Sequence, residues 1–235
     1  MHFSSESLTD RLARRLAEVR ERIRLAADQA GRDPTSIRIL PVTKTLPAAA
    51  VVAVREVGLP AVGENRVQEA IAKMGEVDPP MHWELIGHLQ SNKVRLAVLH
   101  FTRIQSVDTR KQIDQINRQA AEGGRVIPIL LQLNAGRDPA KFGAALEEAP
   151  DLLEHALNCS NIKVDGLMTI APLSDDRRVA RETFARLRIC RDQLESQLGR
   201  PLPELSMGMS GDLEDAVLEG STLLRLGTIL FGARE

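Results

Sequence analysis

Three short stretches carry side chains of the types that bind anions and carbonyl groups: Pro41-Val42-Thr43-Lys44-Thr45, Ser206-Met207-Gly208-Met209-Ser210-Gly211-Asp212 and Leu223-Leu224-Arg225-Leu226-Gly227-Thr228. In a strand, alternate side chains share a face, so Leu224 and Leu226 point one way while Leu223, Arg225 and Gly227 point the other. Arginine is seldom fully buried without a partner, so Arg225 on an apolar strand calls for a ligand or a buried acceptor. Gly227 lets a ligand approach the backbone, and Thr228 adds a hydroxyl donor at the strand end. Ser210 and Gly211 leave the strand-like run Glu204 to Met207 and open a helical stretch, Asp212 to Leu218, whose first N–H groups suit a phosphate. The same residues also read as an ordinary helix start, with Ser210 as N-cap and Asp212, Glu214 and Asp215 as first-turn acids.

Lys44 sits directly at the end of an apolar strand. A partly desolvated amine there loses its proton more readily than a solvated one and can join an aldehyde as an imine. A lysine that only lays its stem along a rim is the competing reading of Lys44 alone. Amine, anion cradle and buried arginine together match the needs of pyridoxal 5'-phosphate, which has an aldehyde, a phosphate and a ring nitrogen. His88, in Gly87-His88-Leu89-Gln90-Ser91-Asn92-Lys93, reads equally as a solvated loop residue or a functional one and is assigned no role. Met207 and Met209 read as barrel packing, with Met209 able to touch a flat ring.

The elements that must position these groups are legible as a repeat. Strand-like runs are Ile37 to Thr43, Ala61 to Val62, His82 to Ile86, Phe101 to Val107, Val126 to Leu133, Val164 to Ile170, Glu204 to Met207 and Leu223 to Leu226. Helical stretches between them are Ala48 to Val57, Arg66 to Met74, Asn92 to Leu99, Arg110 to Glu122, Ala140 to Leu157, Arg177 to Leu198 and Asp212 to Leu218. Strand then helix, repeated to eight strands, predicts a single (β/α)8 TIM barrel over 1–235, with a doubly wound open sheet as the alternative. An extra amphipathic helix precedes the repeat, from Ser7, paired with Asp10 as a cap, to Gly31. Its charged face (Arg11, Arg14, Arg15, Glu18, Arg22) reads as solvated surface. Pro41 and Pro128 each remove a ladder donor inside an expected strand.

The 235 residues are 43% hydrophobic and 27% charged, with net charge -1, so no electrostatic footprint for nucleic acid is present. Two cysteines, Cys159 and Cys190, lack metal-ligand spacing, which fits a reducing, cytoplasmic setting without a metal. No secretion signal and no membrane span is read. There is no tyrosine and a single tryptophan, Trp83.

In its motifs the chain resembles the YggS/PROSC family of pyridoxal phosphate homeostasis proteins. Val42 to Thr45, Gly63-Glu64-Asn65, Gly87 to Lys93, Gly166-Leu167-Met168, Ser206 to Ser210 and Arg225 to Gly232 carry the resemblance, in order, from about Ile37 onward. It implies a barrel like the alanine racemase N-terminal domain, of the fold-type III kind. Lys44 would be the imine lysine and Arg225 would face the pyridine nitrogen, with Ser210, Gly227 and Thr228 at the phosphate and Asn65 near the ring. Met168, near the end of the sixth strand, completes the expected set. Departures are Thr43 where serine is commoner, Arg66 where tyrosine is commoner, and Pro41 in its strand.

The implied function is a carrier that holds and releases pyridoxal 5'-phosphate, with apo-enzymes as recipients, as a monomer and without catalysis of its own. Two alternatives use the same residues. A racemase-like enzyme would need a second base, which in the resembled enzyme is a tyrosine, and a second domain, which the sequence does not show. A class I aldolase-like barrel would use Lys44 on a sugar phosphate but leaves Arg225 beside Gly227 without a purpose.

Overall fold

A computed structural model describes residues 6–233. Eight parallel strands alternate with helices: β1 Arg38–Pro41, β2 Ala61–Glu64, β3 His82–Leu85, β4 Arg103–Val107, β5 Ile127–Gln132, β6 Ile162–Met168, β7 Glu204–Ser206 and β8 Leu223–Leu226. The helices are α1 Leu8–Gln29, α2 Ala48–Glu56, α3 Val67–Met74, α4 Val94–His100, α5 Arg110–Glu122, α6 Ala149–Leu157, α7 Arg177–Leu198, α8 Leu213–Leu218 and α9 Thr228–Phe231. The strand order β1-β8-β7-β6-β5-β4-β3-β2 runs round a circle, and a bridge from Val42 to Gly63 closes it between β1 and β2. This is the (β/α)8 barrel; pairing of β1 with β8 excludes the open doubly wound sheet. Among the described residues no helix is long and apolar enough to cross a membrane.

Both prolines fall where a donor is not used. Val42 N–H donates to the Leu226 carbonyl, so Val42 faces β8 and the nitrogen of Pro41, one residue earlier, faces β2. The β1–β2 seam accordingly begins only at Val42, where Thr43 N–H donates to the Gly63 carbonyl. Ile127 N–H donates toward β6, so Pro128 faces β4, whose pairing starts one residue later at Ile104 and Ile129.

Ser7 caps α1, its Oγ accepting from Asp10 N–H at 3.0 Å and donating to the Asp10 carboxylate at 2.7 Å. The apolar stripe Leu12, Leu16, Val19 and Ile23 is buried as the periodicity requires. The opposite face is less solvated than expected. Arg22 pairs with Glu214 at 2.6 Å, and Arg15 donates to the Leu230 carbonyl, tying α1 to α8 and α9. Arg32, just past α1, donates to the Val217 and Ser221 carbonyls at 2.7 Å each, meeting acceptors at the end of α8.

The expected helix Ala140 to Leu157 is divided. Residues 140–145 form a loop, Leu146–Glu148 a 3-10 turn, and α6 starts at Ala149. Pro150 is the cause: it lies in the first turn of α6, where its missing N–H is harmless, and could not stand in a helix interior. Likewise Ser91–Lys93 is a 3-10 turn before α4.

Apolar side chains fill the space between sheet and helices, whereas the barrel interior is divided. Leu40, Val42, Ile86 and Leu223 pack on the β8–β1–β3 side. Beside them lies an ion cluster centred on the buried Arg103 and Glu84, with Glu84 lining the same cavity as Leu40 and Leu223. Arg103 grips the Glu84 carboxylate through Nε at 2.8 Å and Nη2 at 2.9 Å, and reaches Glu204 at 3.0 Å. Arg38 also pairs with Glu204. Removing one member of a buried cluster strands the others, typically at about 3–5 kcal/mol. Arg103→Met is expected to lower unfolding free energy in urea by about that much; a loss under about 1 kcal/mol would show that the carboxylates are otherwise satisfied.

Candidate functional site

Active sites of (β/α)8 barrels gather where strands end, and here the loops after β1, β2, β3, β5, β7 and β8 surround a cleft of about 600 Å³. Lys44, Asn65, Ser210, Arg225, Gly227 and Thr228 line it. Of the expected set only Met168 does not: it is fully buried at the end of β6, between Gln132 and Ser206 of the neighbouring strands.

Lys44 stands three residues beyond β1, half-buried, between Thr43 and a positive-φ Thr45. The loop is pinned from the outer layer. Lys73, in α3 and 8% exposed, donates at 2.8 Å to the Thr43 carbonyl, to Glu64 and to Glu69. Thr43 Oγ1 donates to the same Glu64 oxygen at 2.7 Å, and Thr45 N–H donates to Glu69. The second Glu64 oxygen, Oε2, is buried with no partner among the described residues. Burial pushes the Glu64 carboxyl up, while hydrogen bonds from Lys73 and Thr43 pull it back.

Arg225 enters from the barrel interior with 3% exposure. Its guanidinium donates to Ser206 Oγ at 2.7 Å and to the Thr169 carbonyl at 2.8 Å. Ser206 Oγ donates onward to Gln105 Oε1 at 2.6 Å, and Gln105 Nε2 donates to Glu84 at 2.5 Å. Burial lowers the Arg225 pKa to about 10, partly countered by Asp212, so it is a cation at neutral pH.

Ser210 does not open a helix. Residues 209–212 form a turn, and Asp212 precedes α8 with its carboxylate folded back on Met209 N–H at 2.6 Å. Ser210 Oγ instead accepts from Ile229 N–H at 3.2 Å, which joins the loop after β7 to the start of α9. Gly227 precedes that helix and Thr228 is its first residue. Serine, threonine and backbone donors thus converge from the last two strands, the place where barrels of this kind commonly hold phosphate.

Two glycines permit these approaches. A Cβ on Gly87 would lie 2.2 Å from the Asn65 carbonyl oxygen and 2.7 Å from its Cα. Gly208, at φ +95°, would drive a Cβ to 2.4 Å from Ala216 and 2.7 Å from Leu224, while its carbonyl accepts from Arg225 N–H.

His88 is an exposed loop residue that also lines the cleft and stacks on Phe142, with ring centroids 4.0 Å apart and planes 13° apart. Gln132 donates to the Phe142 carbonyl and Asp108 accepts from Gly143 N–H, so the loop after β5 is fastened over the cleft. Phe142 fell inside an expected helix, and that error hid it. The Gly87–Lys93 motif was the available signal for His88.

An eight-stranded parallel barrel with a lysine after β1, a buried arginine on β8 and hydroxyl donors after β7 and β8 has the architecture of the alanine racemase N-terminal-domain class. The chain belongs to the alanine racemase N-terminal-domain family, which matches residues 15–235, and within it to the pyridoxal phosphate homeostasis proteins. The Pseudomonas aeruginosa protein of that name is 42% identical, covering 95% of this chain and 96% of its own. Its Aquifex aeolicus namesake is 39% identical, over 94% and 97%. PipY of Synechococcus elongatus, solved with pyridoxal phosphate bound, has TM-score 0.83 and 38% identity, covering 94% of this chain and all of PipY. Alanine racemase of Clostridium difficile, at 13% identity and TM-score 0.75 over 91% of this chain and 60% of its own, shares the fold.

The buried network under Lys44 gives a pH-dependent prediction. Without Lys73, the carboxyl of Glu64 keeps its proton in the fold over a wider range. A carboxyl whose folded pKa lies above its unfolded value holds more protons folded than unfolded, so stability falls as pH rises from about 4.3 through the folded value. Lys73→Met is therefore expected to lose stability relative to the parent as pH rises through that window, and Glu64→Gln in the same background should remove the slope. Parallel pH profiles of parent and Lys73→Met in urea unfolding would refute it.

Proposed function

We propose that this chain binds pyridoxal 5'-phosphate at the cleft and acts in vitamin B6 homeostasis as a carrier that holds and releases it. One observation carries the reading: Lys44, Arg225, Ser210 and Thr228 line a single cleft of about 600 Å³ in a chain 42% identical to a pyridoxal phosphate homeostasis protein. The binding of pyridoxal phosphate by PipY supports it.

The donor set fits the group. When bound, pyridoxal 5'-phosphate supplies an aldehyde that joins a primary amine reversibly. Two lysines line the cleft, and Lys44, half-buried where Lys141 is exposed, would be that amine. Arg225 spends two donors on Ser206 and Thr169 and, with five N–H groups, keeps others for an acceptor such as a ring nitrogen. Ser210, Thr228 and the backbone at Gly227 would supply donors for the phosphate, and Asn65, also in the cleft lining, would be available to the ring. Met168 supports the cleft from below. His88 and Phe142 stack on each other in its lining.

The same residues argue for carriage over catalysis. An arginine held cationic does not hand a proton to a ring nitrogen, and carbanion chemistry depends on that protonation. The chain has no tyrosine to act as a second base. Release to an apo-enzyme needs only that another amine displace Lys44.

Borohydride reduction of the loaded protein is expected to fix the pyridoxyl group on Lys44, as read by peptide mass analysis; label chiefly on another lysine would overturn the assignment. Ser210→Ala should weaken pyridoxal 5'-phosphate by about 1.5–3 kcal/mol and leave unphosphorylated pyridoxal nearly unchanged. The loaded protein should restore an apo-enzyme while leaving the α-hydrogen of alanine unexchanged in deuterated solvent. Rapid exchange abolished by Lys44→Ala would favour the racemase-like alternative.

A further inference from the structure

We propose that Asp114, His155 and Cys159 form a binding site for a zinc-class divalent cation on the outer helical layer, separate from the cleft. Asp114 lies in α5, His155 in the last turn of α6, and Cys159 two residues beyond it. One ligand atom from each lies within 4.8 Å of the others. None of the three lines the cleft.

The sequence brings two of the ligands together by helix geometry. His155 and Cys159 are four residues apart, so they share a face across the end of α6. The cysteines taken with each other have no metal-ligand spacing, but His155 and Cys159 stand at the interval that helix-borne zinc pairs use. Cys159 Sγ donates to the His155 carbonyl at 3.5 Å, which holds the thiol near the ring. The neighbouring helix brings the third ligand, with Asp114 Oδ1 2.7 Å from His155 Nε2.

Tetrahedral ligation with bonds of about 2.1 Å places donor atoms about 3.4 Å apart. The observed 2.7 Å contact must widen by about 0.7 Å, and separations up to 4.8 Å must close by up to about 1.4 Å. Asp114 is exposed and can turn to do so.

One thiol, one imidazole and one carboxylate make a mixed set that suits zinc, and not the oxygen cages of magnesium or calcium. Three protein ligands leave a fourth position for water or a group from another molecule. A thiol ligand gives up its proton when it binds a cation. Binding then forms a zinc–sulfur bond and releases that proton to the buffer, with no change of oxidation state.

Cys190 is an internal control. It is buried in α7, with its pKa raised by burial to about 11.

The test uses the full chain, freed of metal with a chelator and dialysed against zinc. One zinc per chain is expected, weakened roughly 10-fold or more by Asp114→Asn and abolished by Cys159→Ser and by His155→Ala. Cobalt(II) in place of zinc should give the intense visible bands of a tetrahedral ion, and zinc should protect Cys159 from alkylation while leaving Cys190 as it was. Circular dichroism and cofactor loading show whether each variant is folded; if one is not, the cobalt spectrum and Cys159 protection in the parent decide. Zinc uptake that survives both the cysteine and histidine substitutions, an octahedral cobalt spectrum, or no protection would overturn the site and leave an exposed Asp114–His155 ion pair with adventitious ions.

Discussion

A guanidinium sealed inside the barrel is the constraint around which the ligand-facing end is built. Arg225 has 3% exposure, and a cation so placed must be met by acceptors on every side that water cannot reach. Its partners come from β7 and from the turn after β6, and behind them Ser206, Gln105 and Glu84 relay hydrogen bonds across the interior. Direction matters in this relay. Ser206 has one hydroxyl proton, and having given it to Gln105 it can only accept from Arg225. Glu84 and its neighbours at the opposite end of the barrel supply the negative charge to which the relay leads. The deep floor of the cleft is therefore fixed as a hydrogen-bond donor before any ligand arrives.

The opposing side of the cleft is fixed differently. Lys44 lies on a loop whose backbone is gripped from the helical layer by Lys73, Glu64 and Glu69, so the amine keeps a flexible stem on an anchored base. Between these sides, Ser210 and Ile229 couple the loops after β7 and β8. Under the proposed reading, the donor-rich floor would recognise a ligand and the anchored lysine would attach it, a division of labour suited to carrying a cofactor.

Much of this was legible in the sequence because the strand–helix repeat is strong and the strand ends carry unusual residues. Arg225 stood out by alternation on an apolar strand, and α5 and α7 fall at their expected bounds because both have a polar N-cap, Thr109 and Asp176, and a glycine stop. What escaped was decided by distant contacts. Ser210 looked like a helix cap because nothing local shows that Asp212 folds back on Met209 or that Ile229 is the true partner. The stacking of His88 went unread because its partner, Phe142, comes from a loop 54 positions away that apolar content disguised as helix. Lys73 gave no signal either, since a lone lysine in an amphipathic helix ordinarily points to water.

The position of Pro41 has a mechanical consequence. By withdrawing a donor on the β2 side, it leaves the barrel hoop with a light clasp at Val42 and Gly63, next to the loop that presents Lys44. A small molecule held at once by Lys44 on one side of that clasp, Asn65 on the other, and Arg225 and Thr228 on the adjoining strand would act as a rivet across the gap. Occupancy and closure of the hoop would then rise and fall together. Departure of the molecule would leave behind a ring that is easiest to spring open at the very place from which it was released.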